Sequence, residues 1–295
     1  MNPEETRPQK PTSSLDERIT EFHHKLSPKH KRLARFVLDN KYFMSFASAS
    51  QAGKKTGTSA ATVVRFAQTL GYDGYSELQF AIRAELPSYL TAVERMQARL
   101  EAPPPPDNIP HKVFYTDINN IERTANNLDE HKLEGAVEAI VSAKRILVVG
   151  AGLSASPALF LAHSLKIIGF DARVNLNEGL SLAAETAQLS DSTLIIAIDL
   201  WRYVHSTIKA VEFAKKRGAR SIAITDSTVS PLARMADFAF EVVTDGVSHS
   251  LSTTGVMSLL NVLIATLSNR APNQTITSLR SVDRAYRDNN LLIVD

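Results

Sequence analysis

The sequence predicts an α/β protein with an all-α N-terminal domain joined to a doubly wound, five-stranded parallel α/β/α domain. The length of 295 residues favours two domains. Apolar residues recur at helical spacing through the first hundred positions, and four consecutive prolines follow at 103–106. Beyond position 144, short aliphatic runs alternate with helical segments, which is typical of a parallel sheet covered on both faces.

The composition indicates a soluble protein, with 44% apolar and 22% charged residues. The chain has no cysteine, which excludes disulfides and thiolate metal sites and fits a cytoplasmic location. Positions 1–14 are polar and predict a disordered tail rather than a signal peptide. The longest apolar region, 146–170, is interrupted by polar and charged residues, so we expect no membrane span.

Positive charge is concentrated near the N-terminus. Residues 1–101 carry 15 Lys and Arg against 11 Asp and Glu. Within 25–65, Asp39 is the only acid among nine basic residues: Lys25, Lys29, Lys31, Arg32, Arg35, Lys41, Lys54, Lys55 and Arg65. Such a cluster predicts either a polyanion partner or simply a solvated basic face.

The N-terminal domain, 15–101, contains a helix-turn-helix pattern. We predict helices over 15–26, 28–40, 47–55, 59–70, 74–85 and 87–102, with Gly57 making a sharp turn between the third and fourth. In that motif the second helix enters the DNA major groove. We therefore expect DNA contacts from Lys54, Lys55, Thr58, Ser59, Ala60, Thr62, Arg65 and Gln68. The alternative is a plain helical bundle with a positive surface.

The segment TSAATVVRFAQTLGYDGYSELQFAI at 58–82 resembles the DNA-binding domain of the RpiR family of bacterial transcription regulators. That family carries a Ser-x-x-Thr-x-x-Arg-Phe pattern followed by Leu-Gly-[Tyr/Phe]-x-Gly-[Tyr/Phe]-x-Glu-Leu. The matching residues are Ser59, Thr62, Arg65, Phe66, Leu70, Gly71, Tyr72, Gly74, Tyr75, Glu77 and Leu78. The resemblance implies that 15–86 binds DNA and that the helix beginning at Ser59 reads the bases.

A proline-rich linker is predicted over 102–110, because consecutive prolines form a stiff, extended spacer. The second domain, 111–295, begins with predicted helices over 111–128 and 130–143. Five strands follow, at 146–149, 171–176, 193–198, 221–224 and 238–243. The predicted helices after and between them cover 157–168, 180–188, 206–217, 232–235, 253–267 and 275–286.

The first strand ends in the glycine loop Gly150-Ala151-Gly152, which predicts an anion-binding turn. Ser156 suits the cap of the following helix, and Pro157 suits its first turn. Ligands on parallel sheets bind beyond the carboxyl ends of the strands, here the loops 150–156, 177–180, 199–205 and 225–230. A dinucleotide site stays open as an alternative, with Glu178 as its acidic residue.

Residues 111–270 resemble a sugar isomerase (SIS) domain through VVGAGLSASPALFLAHSLKIIGF and ARSIAITDSTVSPLARMADFAFEV. In that family a serine of the first loop and a Ser-x-Ser-Gly-x-[Ser/Thr] loop after the third strand hold the phosphate of a phosphosugar. Ser154 matches the first serine. The second loop is replaced by Asp199-Leu200-Trp201-Arg202-Tyr203-Val204, in which Arg202 stands at the glycine.

This replacement predicts an unusual ligand. Asp199 would repel a phosphate, Arg202 could hold an anion with two hydrogen bonds, and Trp201 could stack on a sugar ring. Alternatively, the loop only leads into a helix or contacts another subunit. The predicted effector-binding residues are Gly152, Ser154, Ser156, Asp199, Trp201, Arg202, Ser206, His249 and Ser252.

We therefore expect a cytoplasmic bacterial transcription regulator that binds double-stranded operator DNA and senses a small anionic sugar derivative, such as a phosphosugar or sugar acid. Symmetric operators favour at least a dimer, and the family resemblance implies dimers or tetramers. We expect no catalytic activity, cofactor or metal, although Glu178 and Glu185 are available as bases for an isomerase. The alternatives are a sugar-phosphate isomerase and an SIS domain that serves only for oligomerisation.

Overall fold

The structure, a computed structural model, describes residues 14–85, 92–101, 108–228, 230–291 and 293. The chain divides into two compact units, Met1–Thr91 and Ala92–Asp295. The predicted tail 1–14 lies outside the described residues except for Ser14, where the prediction of disorder is wrong. Ser14 caps the first helix, because its hydroxyl accepts the N–H of Glu17 and the Glu17 side chain accepts the N–H of Ser14.

The first unit is helical, as predicted. Its apolar faces meet in one core that includes Leu33, Phe66 and Leu78. A 3-10 turn, His23–Lys25, extends the first helix to the end of the predicted segment. The helices are α1 Leu15–Phe22, α2 Pro28–Asp39, α3 Lys41–Phe46, α4 Ala49–Thr56, α5 Ala60–Thr69 and α6 Tyr75–Glu85.

Helix α3 is absent from the prediction. Its six residues fill the gap that we left between the second and third helices, and Phe43 and Met44 are buried in the core. Helix α4 begins at Ala49, two residues later than predicted. Ser48 caps it together with Gln51.

The boundary between the units differs from the predicted one. The helix Ala92–Glu101 (α7) belongs to the second unit rather than the first, and the guanidinium of its Arg95 lies over the ring of Trp201. Of the predicted linker 102–110, the part 102–107 lies outside the described residues. The rest is not linker, because Asn108 caps the helix that begins at Ile109 and contains Pro110 in its first turn.

The second unit contains a five-stranded parallel sheet, which confirms the predicted class. The strand order is β2-β1-β3-β4-β5, so the order reverses between β1 and β3. The strands are β1 Arg145–Val149, β2 Ala172–Asn175, β3 Thr193–Asp199, β4 Arg220–Thr225 and β5 Phe238–Glu241. The helices after α7 are α8 Ile109–Asn126, α9 Glu130–Ser142, α10 Ala155–Ile167, α11 Leu180–Thr186, α12 His205–Lys216, α13 Pro231–Met235, α14 Thr254–Arg270 and α15 Pro272–Asp288.

Alternate residues of the strands feed two separate cores, one on each face of the sheet. Ile196 and Ile198 of β3 pack with α9, α10 and α14. Ile195 and Ala197 face the opposite side and pack with α11, α12 and α13. Because side chains alternate along a strand, Asp199 lies on the α12 side of the sheet. The description doubly wound is therefore confirmed.

Among the described residues, no helix is both long and apolar enough to cross a membrane. The longest described helix of the first unit, α2, is amphipathic and buries Leu33, Ala34 and Val37.

Candidate functional site

Helices α4 and α5 form a helix-turn-helix in the first unit. Gly57 ends α4 with a left-handed backbone, φ 66°, and Ser59 caps α5 by accepting the N–H of Thr62 at 3.2 Å. The hydroxyls of Ser59 and Thr62 also lie 2.9 Å apart. The predicted turn and the start of the second helix therefore lie where the sequence placed them.

The predicted DNA-contacting residues are all at least partly accessible to solvent. Val63, Phe66 and Ala67 of α5 are buried in the core. The exposed residues are Lys54, Lys55, Ser59, Ala60, Arg65 and Gln68, while Thr58 and Thr62 are partly exposed. The geometry leaves all eight side chains on the solvent side of the motif.

Gly53 allows the turn of the motif to pack closely against α4, and the sequence analysis did not identify it. A Cβ at this position would lie 2.8 Å from the Thr58 carbonyl oxygen and 3.0 Å from the Ser59 carbonyl carbon. Glycine alone allows the turn to approach α4 this closely. A glycine three residues before a cap-forming turn is the signal that would have identified it.

The basic cluster is a solvent-facing surface with one exception. Lys41 forms ion pairs of 2.8 Å with both Asp16 and Glu85, so it joins α1, α3 and α6 internally. Burial lowers the pKa of Lys41, but the two carboxylates outweigh this effect and raise it above its ordinary value. The other eight basic residues of 25–65 are exposed.

In the second unit, the loop between β3 and α12 lies at the carboxyl edge of the sheet. We call residues 199–204 the β3 loop. Three of its backbone N–H groups donate to side chains of this same chain. The N–H of Leu200 donates to Ser154 at 3.2 Å, that of Trp201 to Asp226 at 3.1 Å, and that of Val204 to Asp199 at 2.8 Å.

Two of these acceptors are carboxyl groups, of which Asp199 is buried and Asp226 is partly buried. Burial raises the pKa of Asp199 to about 8, the nearby Asp226 and Glu178 act in the same direction, and the hydrogen bond from Val204 opposes them. Burial also raises the pKa of Asp226, against its hydrogen bonds from Tyr203 and Trp201 and the charge of Arg95. The second oxygen of Asp199, Oδ1, is buried and has no hydrogen-bond partner among the described residues.

The β3 loop has an unusual backbone. Trp201 and Arg202 adopt φ values of 52° and 33°, a region that residues with a Cβ rarely occupy. Two guanidinium groups lie near the Trp201 ring. That of Arg95 is 4.9 Å and that of Arg202 is 5.8 Å from the ring centroid. Contacts of this kind stabilise an aromatic ring beside a cation.

Comparison with known proteins identifies both units. Residues 13–88 match the helix-turn-helix domain of the rpiR family, and residues 139–267 match the SIS domain. The sugar isomerase domain of an RpiR transcription factor from Sphaerobacter thermophilus is 40% identical, with a TM-score of 0.59, over 60% of this chain and 99% of that one. The chain belongs to the RpiR family. The predicted resemblance is therefore confirmed.

Two further relatives match three quarters or more of this chain. An uncharacterized HTH-type transcriptional regulator of Haemophilus influenzae is 29% identical over 223 residues, 75% of this chain and 77% of that protein. The Vibrio vulnificus NanR protein, solved in complex with ManNAc-6P, is 23% identical with a TM-score of 0.68, over 95% of this chain and 100% of that one. At this identity the NanR likeness shows a shared fold.

The RpiR-type SIS pattern explains the backbone at Arg202. The pattern has glycine at this position, and glycine adopts positive φ without strain. The chain keeps the left-handed backbone, φ 33°, with an arginine. Arg202 therefore has a positive φ at a position where the pattern has the residue that adopts it without strain.

The predicted residues of the first loop have different surroundings. Gly152 is exposed with φ 55°, and Ser154 is 1% exposed with its hydroxyl accepting the Leu200 N–H. Ser156 is not the cap of α10, because that helix already begins at Ala155 after a 3-10 turn. Ser156 is exposed in its first turn, and Pro157 is buried there.

The remaining predicted residues fall into separate places. Ser206 lines a cavity of about 440 Å³ between α11 and α12, and its hydroxyl is buried without a partner among the described residues. Ser252 lines a different hollow of about 640 Å³ beside α8, and it donates to Asp117 at 2.6 Å. His249 is exposed and does not line that hollow. The described residues include no cluster of three or more His, Cys, Asp or Glu that could hold a metal.

Proposed function

We propose that this RpiR-family regulator binds operator DNA through the N-terminal half of α5 and that its SIS unit senses a small carbohydrate-derived anion. The observation that carries the DNA-binding assignment is the exposure of Lys54, Lys55 and the polar start of α5 on either side of the Gly57 turn. Arg65 is positioned to contact a base edge, and the two lysines to contact phosphates. Such a protein acts in the cytoplasm.

Effector sensing at the carboxyl edge of the sheet is supported by the fold. Ligands of doubly wound sheets bind where the strand order reverses, here between β1 and β3, beside Ser154 and the β3 loop. NanR of Vibrio vulnificus, which shares this fold, was solved with the phosphosugar ManNAc-6P. An effector regulates DNA binding only if it binds two states of the protein with different affinities.

A regulator is favoured over a sugar-phosphate isomerase. An isomerase does not need the helix-turn-helix unit, and the relatives in Haemophilus influenzae and Clostridium perfringens are named HTH-type transcriptional regulators. Of the two bases that the sequence offers, Glu178 is exposed and Glu185 is partly exposed on α11. We therefore assign the SIS unit a binding role without catalysis or a cofactor.

Self-association is carried by one face of α8. Phe114, Ile118, Ile121 and Ala125 follow each other at spacings of four, three and four, which places them along one side of a helix. All four are exposed, Phe114 by 69% and Ile118 by 55%, whereas Asn120 and Thr124 on the other side are buried. We call this row the α8 seam and assign it to contact with a second copy of the chain.

The decisive experiment is a binding titration of the full chain against DNA from upstream of its own gene, at several salt concentrations. Arg65→Ala should weaken specific binding by about 1–3 kcal/mol. Lys54→Ala should weaken binding to all sequences and lower the salt dependence. Arg284→Ala, an exposed arginine on α15, is the matched control. Equal binding of specific and random DNA would refute the DNA-reading role.

A further inference from the structure

Backbone N–H groups of the β3 loop already have carboxyl acceptors within this chain. Its N–H groups at Trp201 and Val204 donate to the carboxylates of Asp226 and Asp199. Clustered backbone N–H groups at such a loop are the donors that hold a bound anion in other proteins. In this chain two of them are already satisfied by carboxylate oxygens from the ends of β3 and β4.

The hydroxyls that would hold a phosphate are also missing from this loop. The SIS pattern supplies them at the positions of Asp199, Trp201 and Val204. The remaining hydroxyl of that pattern, on Ser154, is buried and accepts the Leu200 N–H. A phosphate on this loop would therefore have to displace side chains that are buried and hydrogen-bonded.

The charges around the loop act against a dianion as well. Burial, together with Asp226 and Glu178, raises the pKa of Asp199 to about 8, and burial together with Asp226 raises the pKa of Glu241, so this group of carboxyls already resists negative charge. Arg95 offsets part of this charge at Asp226. A phosphate ester brings up to two further negative charges to this group, whereas a carboxylate brings one.

One cation of the loop faces outward. Arg202 is exposed, and its guanidinium lies beside the partly exposed Trp201 ring. A guanidinium offers a planar pair of N–H donors that matches two oxygens of a carboxylate or of a phosphate, so the choice between them depends on the surrounding acidic groups. An indole face beside it suits the C–H face of a sugar. This pairing differs from the hydroxyl cradle of the SIS pattern.

We propose that the β3 loop excludes phosphate and that the effector is a sugar acid, whose carboxylate binds Arg202 and whose ring lies against Trp201. This inference rests on the proposed effector-sensing function, whose site it specifies. It assigns Arg202 and Trp201 as the residues that determine ligand class, and Asp199 and Asp226 as the residues that close the loop against phosphate.

The test measures binding by calorimetry for D-gluconate, D-glucuronate, D-galacturonate, glucose 6-phosphate and inorganic phosphate. The wild-type chain should bind at least one sugar acid at least tenfold more tightly than either phosphate compound. Arg202→Ala should weaken that binding at least tenfold, and the control Arg284→Ala should leave it unchanged. Circular dichroism checks that each variant is folded.

A second variant tests phosphate exclusion directly. The combined replacement Asp199→Ser, Trp201→Ser, Arg202→Gly and Val204→Thr restores the SIS pattern, and it should gain binding of glucose 6-phosphate and lose sugar-acid binding. If that variant does not fold, two measurements still test the proposal: the preference of the wild-type chain for sugar acids over phosphate compounds, and the sugar-acid affinity of Arg202→Ala.

Tighter binding of glucose 6-phosphate than of any sugar acid to the wild-type chain overturns the inference. So does binding of none of the five compounds, or unchanged sugar-acid affinity in Arg202→Ala. In these cases specific DNA binding by the same preparation would leave the proposed DNA-binding function standing. Absence of both effector binding and specific DNA binding would refute the proposed function itself.

Discussion

Tyr203 donates its hydroxyl hydrogen to Asp226 over 2.7 Å, which ties the loop after β3 to the loop after β4. Asp226 accepts the Trp201 N–H with its other oxygen, so one partly buried carboxylate holds two points of the β3 loop. A buried carboxylate is costly unless its oxygens are hydrogen-bonded. The position of the loop therefore depends on this pair.

Removing the Tyr203 hydroxyl should destabilise the second unit. Tyr203→Phe leaves one oxygen of the partly buried Asp226 without this donor, and we expect the free energy of unfolding to fall by about 1–3 kcal/mol. Urea unfolding monitored by the fluorescence of Trp201, the only tryptophan, measures this change. Tyr286→Phe on α15 is the control. Equal midpoints for the two variants would contradict the role of the bond.

The stability of the second unit should depend on the ionisation of Asp199. Its pKa is raised to about 8 by burial, whereas an aspartate in an unfolded chain titrates near pH ~4. Between these values the unfolded chain binds fewer protons than the folded chain. The free energy of unfolding contributed by this group is therefore highest below the lower pKa and falls as the pH rises through the interval.

Asp199→Asn should remove this part of the pH dependence. Asparagine keeps an oxygen that can accept the Val204 N–H and cannot ionise. Because one pH unit between the two pKa values is worth ~1.4 kcal/mol, we expect the stability of the variant relative to the wild type to rise by about 4 kcal/mol between pH ~5 and pH ~8. Urea unfolding across this range measures it, with exposed Asp288→Asn as control. Parallel curves for the wild type and Asp199→Asn would disprove the prediction.

The helix-turn-helix should be sensitive to a single methyl group at Gly53. Gly53→Ala would bring a Cβ to 2.8 Å from the backbone oxygen of Thr58, which cannot move without shifting the turn. We expect a loss of about 2–3 kcal/mol in the stability of the first unit, together with weaker DNA binding. Thermal unfolding measures the loss.

Gly74→Ala provides a matched control for that change. No atom lies within 4 Å of a Cβ built at Gly74, and its φ is not in the positive region. The control should therefore unfold within about 1 kcal/mol of the wild type. A similar loss in both variants would mean that the close approach at Gly53 is not the cause.

The order of elements could be predicted from the sequence because each depends on local patterns. Aliphatic runs marked the five strands, and the Gly57 turn with its Ser59 cap marked the motif. Helix α3 was missed because its six residues are too few to show helical periodicity. The prediction of Ser156 as a cap is wrong because a 3-10 turn precedes α10 and starts the helix earlier. This turn leaves no signal in the sequence.

The candidate effector site could be predicted only in part, because its contacts join distant segments. The sequence identified Ser154 and the replaced β3 loop but gave no sign that Asp226 lies under Trp201. It also placed Arg95 in the other domain, although this side chain contacts the same tryptophan. Whether Asp199 faces a ligand or its own backbone is decided by tertiary packing, and here it accepts the Val204 N–H.

The α8 seam should control self-association. Ile118 is 55% exposed at the middle of the row, so Ile118→Glu places a charge where two copies of α8 would bury apolar surface. We expect the variant to sediment as a monomer. Its helix content and melting temperature should stay close to those of the wild type.

Leu159→Glu on α10 is the control for this change. Leu159 is similarly exposed, by 51%, but lies on a different helix, so the variant should keep the wild-type oligomeric state. Because a dimer binds two half-sites at once, Ile118→Glu should also lower the affinity for operator DNA at least tenfold, whereas Leu159→Glu should not. A wild-type sedimentation coefficient for Ile118→Glu would show that α8 is not the contact, and loss of association in both variants would place the interface across α10 as well.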